Sequence, residues 1–165
     1  MKRINKLFLP LFLTMTSLSA YDKSYSYIGL QTNISKIDNV NVPSVGLKYG
    51  VQHKNVRTSI SVNYGTKDAD TFQSALLQVD TGIFKKAFKN TSFKPYIGLC
   101  VGVMQRDNNS FLEKDRGLVY GADTGFAYIL NDSFDLDLSY RYLKTSSLDT
   151  IDEINSADLS LHYFY

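Results

Sequence analysis

The last nine residues of the chain read Ala157-Asp158-Leu159-Ser160-Leu161-His162-Tyr163-Phe164-Tyr165. Apolar residues stand at every odd position of this stretch, and the even positions are mostly polar. In a β-strand, a period of two places these two sets on opposite faces. An uncovered apolar strand would invite aggregation in water. Because such a face is stable against lipid when the strand belongs to a closed barrel, the pattern predicts a membrane-spanning barrel strand.

The same alternation recurs along the chain in seven further segments that are separated by polar stretches. These segments cover residues 24–33, 44–52, 56–65, 74–83, 94–104, 118–128 and 134–142. With the terminal stretch they make eight strands of roughly nine to eleven residues, the length that a tilted strand needs to cross a bilayer. No run reaches the roughly 18 consecutive apolar residues of a transmembrane helix. We therefore predict an all-β fold, an eight-stranded antiparallel up-and-down transmembrane β-barrel.

The predicted connections differ in length between the two ends of the barrel. Short turns are expected near residues 53–54 and 131–133, with an intermediate link over 85–92. The other four connections are mostly longer and polar, near residues 34–43, 66–73, 105–116 and 144–156. Short periplasmic turns and longer extracellular loops are typical of outer-membrane barrels, so we predict four extracellular loops.

Charge and glycine decide which face points inward. On this register the apolar face carries no charge within the strands, and all ten glycines share the parity of the charged face. A charge facing mid-bilayer lipid costs roughly 2–4 kcal/mol, and glycine relieves crowding inside a narrow barrel. We predict an interior charge network of nine residues, with Arg141 and Lys48 or Lys94 among its basic partners. The nine are Lys48, Arg57, Asp80, Lys94, Asp123, Asp135, Asp137, Arg141 and Asp158.

The opposite assignment of the faces remains an alternative. A secreted barrel of the lipocalin type also has eight up-and-down strands, with the apolar face turned inward around a ligand. The lack of charge on the apolar face and the aromatic residues near its strand ends favour the lipid-facing assignment, because aromatic belts mark both membrane interfaces.

The amino terminus has the composition of a secretory signal. Lys2, Arg3 and Lys6 precede the largely apolar residues 7–13, and small residues follow. This apolar stretch is shorter than the roughly 20 residues that a transmembrane helix needs. We predict a signal peptide over residues 1–20.

Removal of that segment leaves a barrel domain of residues 21–165. It retains 15 Lys and Arg, 18 less the three in the segment, against 16 Asp and Glu. The net charge is then near −1, so nucleic-acid binding loses its electrostatic basis. The chain has one cysteine, Cys100, which cannot form an internal disulfide and is expected to be a small core residue.

Three segments resemble the small outer-membrane β-barrel proteins of the OmpA-like and opacity-protein superfamily. They are Lys94-Pro95-Tyr96-Ile97-Gly98-Leu99 with Gly102, Leu136-Asp137-Leu138-Ser139-Tyr140-Arg141-Tyr142, and the terminal stretch. The resemblance implies a barrel integrated in the outer membrane of a Gram-negative bacterium. It also implies that Leu159, Leu161, Tyr163 and Tyr165 form the assembly signal read by the barrel-assembly machinery.

Catalytic and metal-binding chemistry is weakly represented in the sequence. The two histidines are His53, in a predicted turn, and His162, close to Asp158 in the last strand, and no Gly-x-Ser-x-Gly occurs. A hydrolase needs a nucleophile beside its base, so we expect no enzyme and no cofactor. Acidic residues at 68, 70, 149, 152 and 153 could hold calcium, but we expect solvated turns rather than a metal site.

We predict a non-enzymatic outer-membrane protein with a structural or surface-recognition role exerted through its extracellular loops. A narrow porin-type channel for small solutes is the alternative. Expected partners are outer-membrane lipids and lipopolysaccharide, the assembly machinery, and a surface ligand at the loops; no nucleic acid is expected, and the protein is expected to be a monomer. Apolar loop residues form either a loop cluster, which we favour, or a contact surface: Phe111, Leu112, Leu148 and Ile151.

Overall fold

The computed structural model describes residues 24–37, 40–83, 87–108, 113–146 and 151–165. The predicted signal peptide lies outside these ranges. The strands in chain order are β1 (Ser24–Ile37), β2 (Val40–His53), β3 (Val56–Lys67), β4 (Asp70–Gly82), β5 (Phe93–Asn108), β6 (Glu113–Ile129), β7 (Phe134–Ser146) and β8 (Glu153–Phe164). Each pairs antiparallel with the next, and β8 pairs with β1 to close the barrel. The predicted fold class is confirmed. Within the described ranges, no helix is long and apolar enough to span a membrane.

The apolar residues of the strands face outward. Leu30, Leu47 and Leu99 are 64%, 62% and 70% exposed, whereas Tyr27 and Gln31, which alternate with outward residues of β1, are each 1% exposed. A water-facing surface would not concentrate so many large aliphatic side chains. The outer surface therefore matches the hydrocarbon of a bilayer, and the lumen contains the polar residues.

The strands are longer than the sequence pattern predicts, at 12 to 17 residues. The four predicted long loops are largely β-structure, and the segments left between strands at that end are 38–39, 68–69, 109–112 and 147–152. Apolar alternation marks only the part of a strand that faces lipid, whereas backbone pairing continues into water wherever a hairpin allows it. The prediction of long loops is corrected to four protruding hairpins.

Aromatic side chains mark both borders of the apolar band. At the end where β1 begins and β8 ends, Phe134, Tyr163 and Tyr165 lie on the outer surface and contact one another in sequence, with ring centroids 5.1 and 6.3 Å apart. Tyr64 and Tyr120 form part of the opposite border. The hairpins project beyond the second border, which is therefore the end that the sequence prediction makes extracellular; the two ends are named extracellular and periplasmic below on that prediction.

A charge introduced at the middle of the apolar band should destabilise the folded barrel in a bilayer. Leu99→Arg is expected to lower the free energy of unfolding by about 2–4 kcal/mol, because the guanidinium would lie in hydrocarbon. Gln73→Arg, on the outward face of β4 near the extracellular border, is the matched control and should cost only about 0–1 kcal/mol. Denaturant unfolding in lipid vesicles measures both, and equal costs would contradict a lipid-facing Leu99.

Candidate functional site

The periplasmic half of the lumen is organised around Asp135 and Asp137 of β7. Arg57 of β3 forms an ion pair with Asp135, and its Nη1 atom lies 3.6 Å from Oδ2 of Asp137. His162 Nδ1 of β8 lies 2.8 Å from Oδ1 of Asp135, and the Tyr96 hydroxyl of β5 donates a 2.8 Å hydrogen bond to Asp137. Three strands thus supply partners to the two buried carboxylates of β7, as buried charges require.

The middle of the lumen is organised around the side-chain amide of Gln78. Its nitrogen donates to Asp80 over 2.9 and 3.1 Å and to Asp123 over 2.7 Å. Its oxygen accepts a 3.1 Å hydrogen bond from Arg141, whose Nη1 lies 3.5 Å from Asp158. An amide offers a donor to carboxylates and an acceptor to a cation at the same time. Gln78 therefore connects acidic and basic residues from four strands, a role that the sequence analysis did not assign to it.

Two basic residues that were predicted to belong to the charge network, Lys48 and Lys94, form no contact ion pair with its carboxylates among the described residues. Lys48 is 3% exposed, and its charge acts on Asp80 and Asp123 without a contact ion pair among the described residues. Lys94 lies at the periplasmic mouth, where its ammonium donates to the carbonyls of Phe88 and Lys89 over 2.8 and 3.2 Å. Because Lys94 is the second residue of β5, its side chain reaches turn carbonyls that have no strand partner. It does not belong to the central charge network.

Glycine makes room for these charged groups. A Cβ at Gly98 would collide with the carboxylates of both Asp80 and Asp123. None of the described glycines has a positive φ, so Gly98 supplies space and not an unusual backbone conformation. The glycine parity in the sequence therefore indicates where the lumen is most crowded.

An apolar layer fills the extracellular third of the lumen, and the sequence analysis did not predict it. Its members are at most 8% exposed, and those that lie within strands point inward with the same parity as the charges. They are Ile37, Val42, Phe72, Leu76, Cys100, Met104, Val119, Leu143, Ile151 and Ile154. The sequence signal was weak, since most strands contribute only one or two apolar inward residues at this level, among polar ones such as Asn33, Ser44 and Asn63. Ile151 packs into this layer, while Phe111, Leu112 and Leu148 lie outside the described residues.

Within the described residues, the histidines and acidic residues considered for catalysis or metal binding make ordinary hydrogen bonds and ion pairs. His162 interacts with Asp135 and not with Asp158, because the neighbouring strand β7 places Asp135 directly opposite it. His53 Nδ1, at the end of β2, lies 3.2 Å from the Ser24 hydroxyl. No group of three or more potential metal ligands occurs within the described ranges, and Asp70 pairs with Arg106 over 2.6 Å.

The four residues of the predicted assembly signal lie on the lipid-facing side of the barrel. Leu159, Leu161 and Tyr163 are 42–44% exposed and Tyr165 is 64% exposed. The Tyr165 amide donates a 3.0 Å hydrogen bond to the carbonyl of Ser26, so pairing with β1 extends beyond the end of β8. The ladder is thus an outward surface on the strand that closes the barrel.

Comparison with protein families gives a match over nearly the whole chain. The family described as the outer membrane protein beta-barrel domain matches residues 7–165. The chain belongs to this family. The comparison with curated protein sequences gave no significant match.

Solved structures with the same architecture are distant in sequence. Neisserial surface protein A has 16% identity and a TM-score of 0.65, covering 86% of this chain and 95% of its own. The N-terminal barrel domain of Pseudomonas aeruginosa OprF has 11% identity and a TM-score of 0.60, with coverage of 87% and 100%. Yersinia pestis Ail in a phospholipid nanodisc has 19% identity and a TM-score of 0.51, with coverage of 87% and 100%. At such identities these proteins support the fold alone.

Crowding at Gly98 can be tested with a second glycine as control. Gly98→Ala should lower the free energy of unfolding by about 1–3 kcal/mol, because the new methyl group would collide with the carboxylates of Asp80 and Asp123. At Gly82, a Cβ would meet nothing closer than 3.7 Å, and Gly82→Ala should be neutral or stabilising by up to about 1 kcal/mol. Denaturant titration of both variants measures the difference. A neutral Gly98→Ala would contradict a tightly packed lumen.

Proposed function

We propose that the protein is a closed, non-enzymatic barrel in the outer membrane of a Gram-negative bacterium. Its role is structural or one of surface recognition, exerted through the four extracellular hairpins. The observation that carries this proposal is the double seal of the lumen by a charged layer and an apolar layer. If no solute crosses the lumen, an extracellular partner can bind only the projecting hairpins.

The charged layer opposes permeation by its pairing. Opening a path would separate Arg57 from Asp135 and Arg141 from Asp158, and an uncompensated buried charge typically costs about 3–5 kcal/mol. The apolar layer adds a second barrier, with Val119 fully buried and Leu76 only 2% exposed. The cavity near this layer measures about 40 Å³, room for only a few water molecules. These features favour a rigid scaffold over a pore.

The hairpin surface carries mixed charge. Lys67 and Asp68 form an exposed ion pair of 3.7 Å, and Arg106 binds Asp70 on the adjacent strand. Lys36 is also exposed at this end. Since both signs are interspersed, the surface does not select a polyanion by charge, and we infer recognition by shape and hydrogen bonding. Binding residues are commonly found on surface connections held by a rigid scaffold.

Chemistry on lipids would require reactive groups on the outer surface. His162 lies inside the lumen at 1% exposure, with Asp135 as its partner. His53 lies at the periplasmic end beside Ser24, and no carboxylate completes that pair among the interactions of the described residues. A serine or histidine without its partners is a poor catalyst, which supports the non-enzymatic assignment.

The outer surface supports the proposed membrane partners. Tyr140 donates to Asn155 over 2.6 Å and Tyr142 donates to Glu153 over 2.9 Å, so hydroxyl groups meet polar side chains at the extracellular border. Lys144 lies on the same outward face beside Tyr120. We propose that this border contacts outer-membrane lipid and lipopolysaccharide headgroups, and that the outward ladder of β8 is the segment bound by the assembly machinery.

Exposure of the hairpins can be tested with two matched positions. Asp68 and Lys54 each occupy a two-residue hairpin at a φ of 55°, at opposite ends of the barrel, so replacement by cysteine perturbs both similarly. A membrane-impermeant maleimide should label Asp68→Cys on intact cells and Lys54→Cys only after lysis. Wild type, whose Cys100 is buried, gives the background. Labelling of position 54 on intact cells would reverse the proposed topology.

A narrow channel is the second candidate, supported by the empty space below the charged layer. A vestibule of about 450 Å³ extends from the periplasmic mouth to Asp80, and the smaller cavity on the other side reaches Arg141. Among the described residues, the charged layer and the apolar layer separate the vestibule from the opposite end of the barrel. A rearrangement of both layers would connect the two ends.

Conductance separates the two candidates. In planar bilayers the purified protein should show no steady openings, because both layers must move together. Phe72→Ala and Leu76→Ala together remove side-chain volume from the apolar layer and should still leave the barrel closed, since the charged layer is intact. Frequent long openings of the wild-type protein would favour the channel and overturn the closed-scaffold proposal.

A further inference from the structure

The periplasmic mouth of the barrel contains a cavity that the closed-scaffold role does not use. It has a volume of about 450 Å³, within the usual size range of small-molecule sites. The connection between β4 and β5 borders it on one side and the β2–β3 hairpin on the other. Arg57 and Tyr96, both inward residues, belong to its wall. The cavity is therefore a vestibule of the lumen, open toward the periplasm and not toward lipid.

The wall of the vestibule is predominantly basic. Among the described residues it is lined by Lys54, Lys89, Lys94 and Arg57, against one carboxylate, that of Asp80. Arg57 is already neutralised by its ion pairs with β7, but the Lys94 ammonium bonds to carbonyl oxygens and keeps its full charge. A concave site lined by one sign of charge concentrates ions of the opposite sign.

Hydrogen bonds fix the position of the Lys94 ammonium. The carbonyl of Phe88 accepts from the Thr91 amide over 3.3 Å, from the Thr91 hydroxyl over 3.2 Å and from Lys94 over 2.8 Å. Lys94 also donates to the Lys89 carbonyl over 3.2 Å. An ammonium has three donors, so one remains for a ligand. A charge held in place loses less side-chain entropy on binding than a mobile lysine.

The same vestibule has an apolar side. Ile83, Phe88, Ala127 and Ile129 contribute to its wall next to the lysines. Phe88 is supported from behind by Phe93, with ring centroids 5.8 Å apart. Binding sites for small molecules typically combine such apolar walls with a few fixed polar groups. The arrangement therefore suits a ligand with an anionic group and an apolar portion.

We propose that this vestibule binds a small organic anion from the periplasmic side, one phosphate or carboxylate group attached to a short apolar body. Lys94 and Lys89 bind the anionic group, and Phe88 and Ile83 contact the apolar body. The site is independent of the surface role of the hairpins and holds whether or not that role is correct.

The proposal can be tested with the folded protein in maltoside micelles, which contain no phosphate. Butyl phosphate, inorganic phosphate and butanol are titrated in turn while backbone amide NMR shifts are followed. Butyl phosphate should produce saturable shifts confined to residues 52–57 and 87–96. Inorganic phosphate and butanol should each bind about tenfold more weakly or not at all, because each lacks one half of the ligand.

Variants separate a built site from general attraction to basic protein. Lys89→Gln and Lys94→Gln should each weaken butyl phosphate binding about tenfold, while Lys94→Arg should retain most of it. Lys36→Gln, at the other end of the barrel, should leave it unchanged within about twofold. Lys89 contributes only its carbonyl to the turn, so Lys89→Gln tests the site even where Lys94→Gln fails to fold. Shifts that never saturate, equal affinity for all three probes, or unaltered binding by Lys89→Gln would overturn the proposal.

Discussion

The pairing of β8 with β1 is the constraint on which the rest of this structure depends. Hydrocarbon offers no hydrogen-bond partners, and each unpaired backbone group there costs several kcal/mol. The ladder that joins Leu161 to Leu30 and His162 to Gly29 removes the last two free edges. Closure also forces the faces to differ, since one face of every strand meets lipid and the other meets seven strands across a narrow lumen. The alternation of apolar and polar residues in the terminal stretch results from this difference between the lipid-facing and lumen-facing sides.

A barrel of only eight strands has so narrow a lumen that its charged side chains must both fit the available space and find hydrogen-bond partners there. Gly98 leaves space for Asp80 and Asp123, and Gln78 supplies donors to both while accepting from Arg141. Toward the outside the lumen changes to aliphatic packing. The polar groups in the tightly packed middle of the lumen are stable because they bond to one another, since buried polar groups need partners.

Strand number and strand faces could be predicted because lipid imposes period two directly on the sequence. Even β1 followed this rule, with Ile28 outward and Tyr27 inward. Partners across the lumen could not be predicted, since parity gives the face of a residue and not its level or its opposite neighbour. Arg57 and Asp135 are 78 positions apart on strands that do not pair. The length of the hairpins was not predicted because the apolar pattern ends where the strand leaves the lipid. The apolar layer was not predicted because charged residues and glycines are the most prominent residues at the inward positions.

The lumen differs between its two ends: it has a vestibule at the periplasmic end and a packed apolar layer at the extracellular end. An anion that enters the basic vestibule meets Lys94 first, but beyond Arg57 it would approach the carboxylates of Asp80 and Asp123, which repel it. A cation is disfavoured at the vestibule for the opposite reason. A neutral solute that passed both would still face the packed layer around Val119. Charge of each sign is thus disfavoured at a different level of the lumen, and the vestibule and the projecting hairpins lie on opposite sides of a common seal.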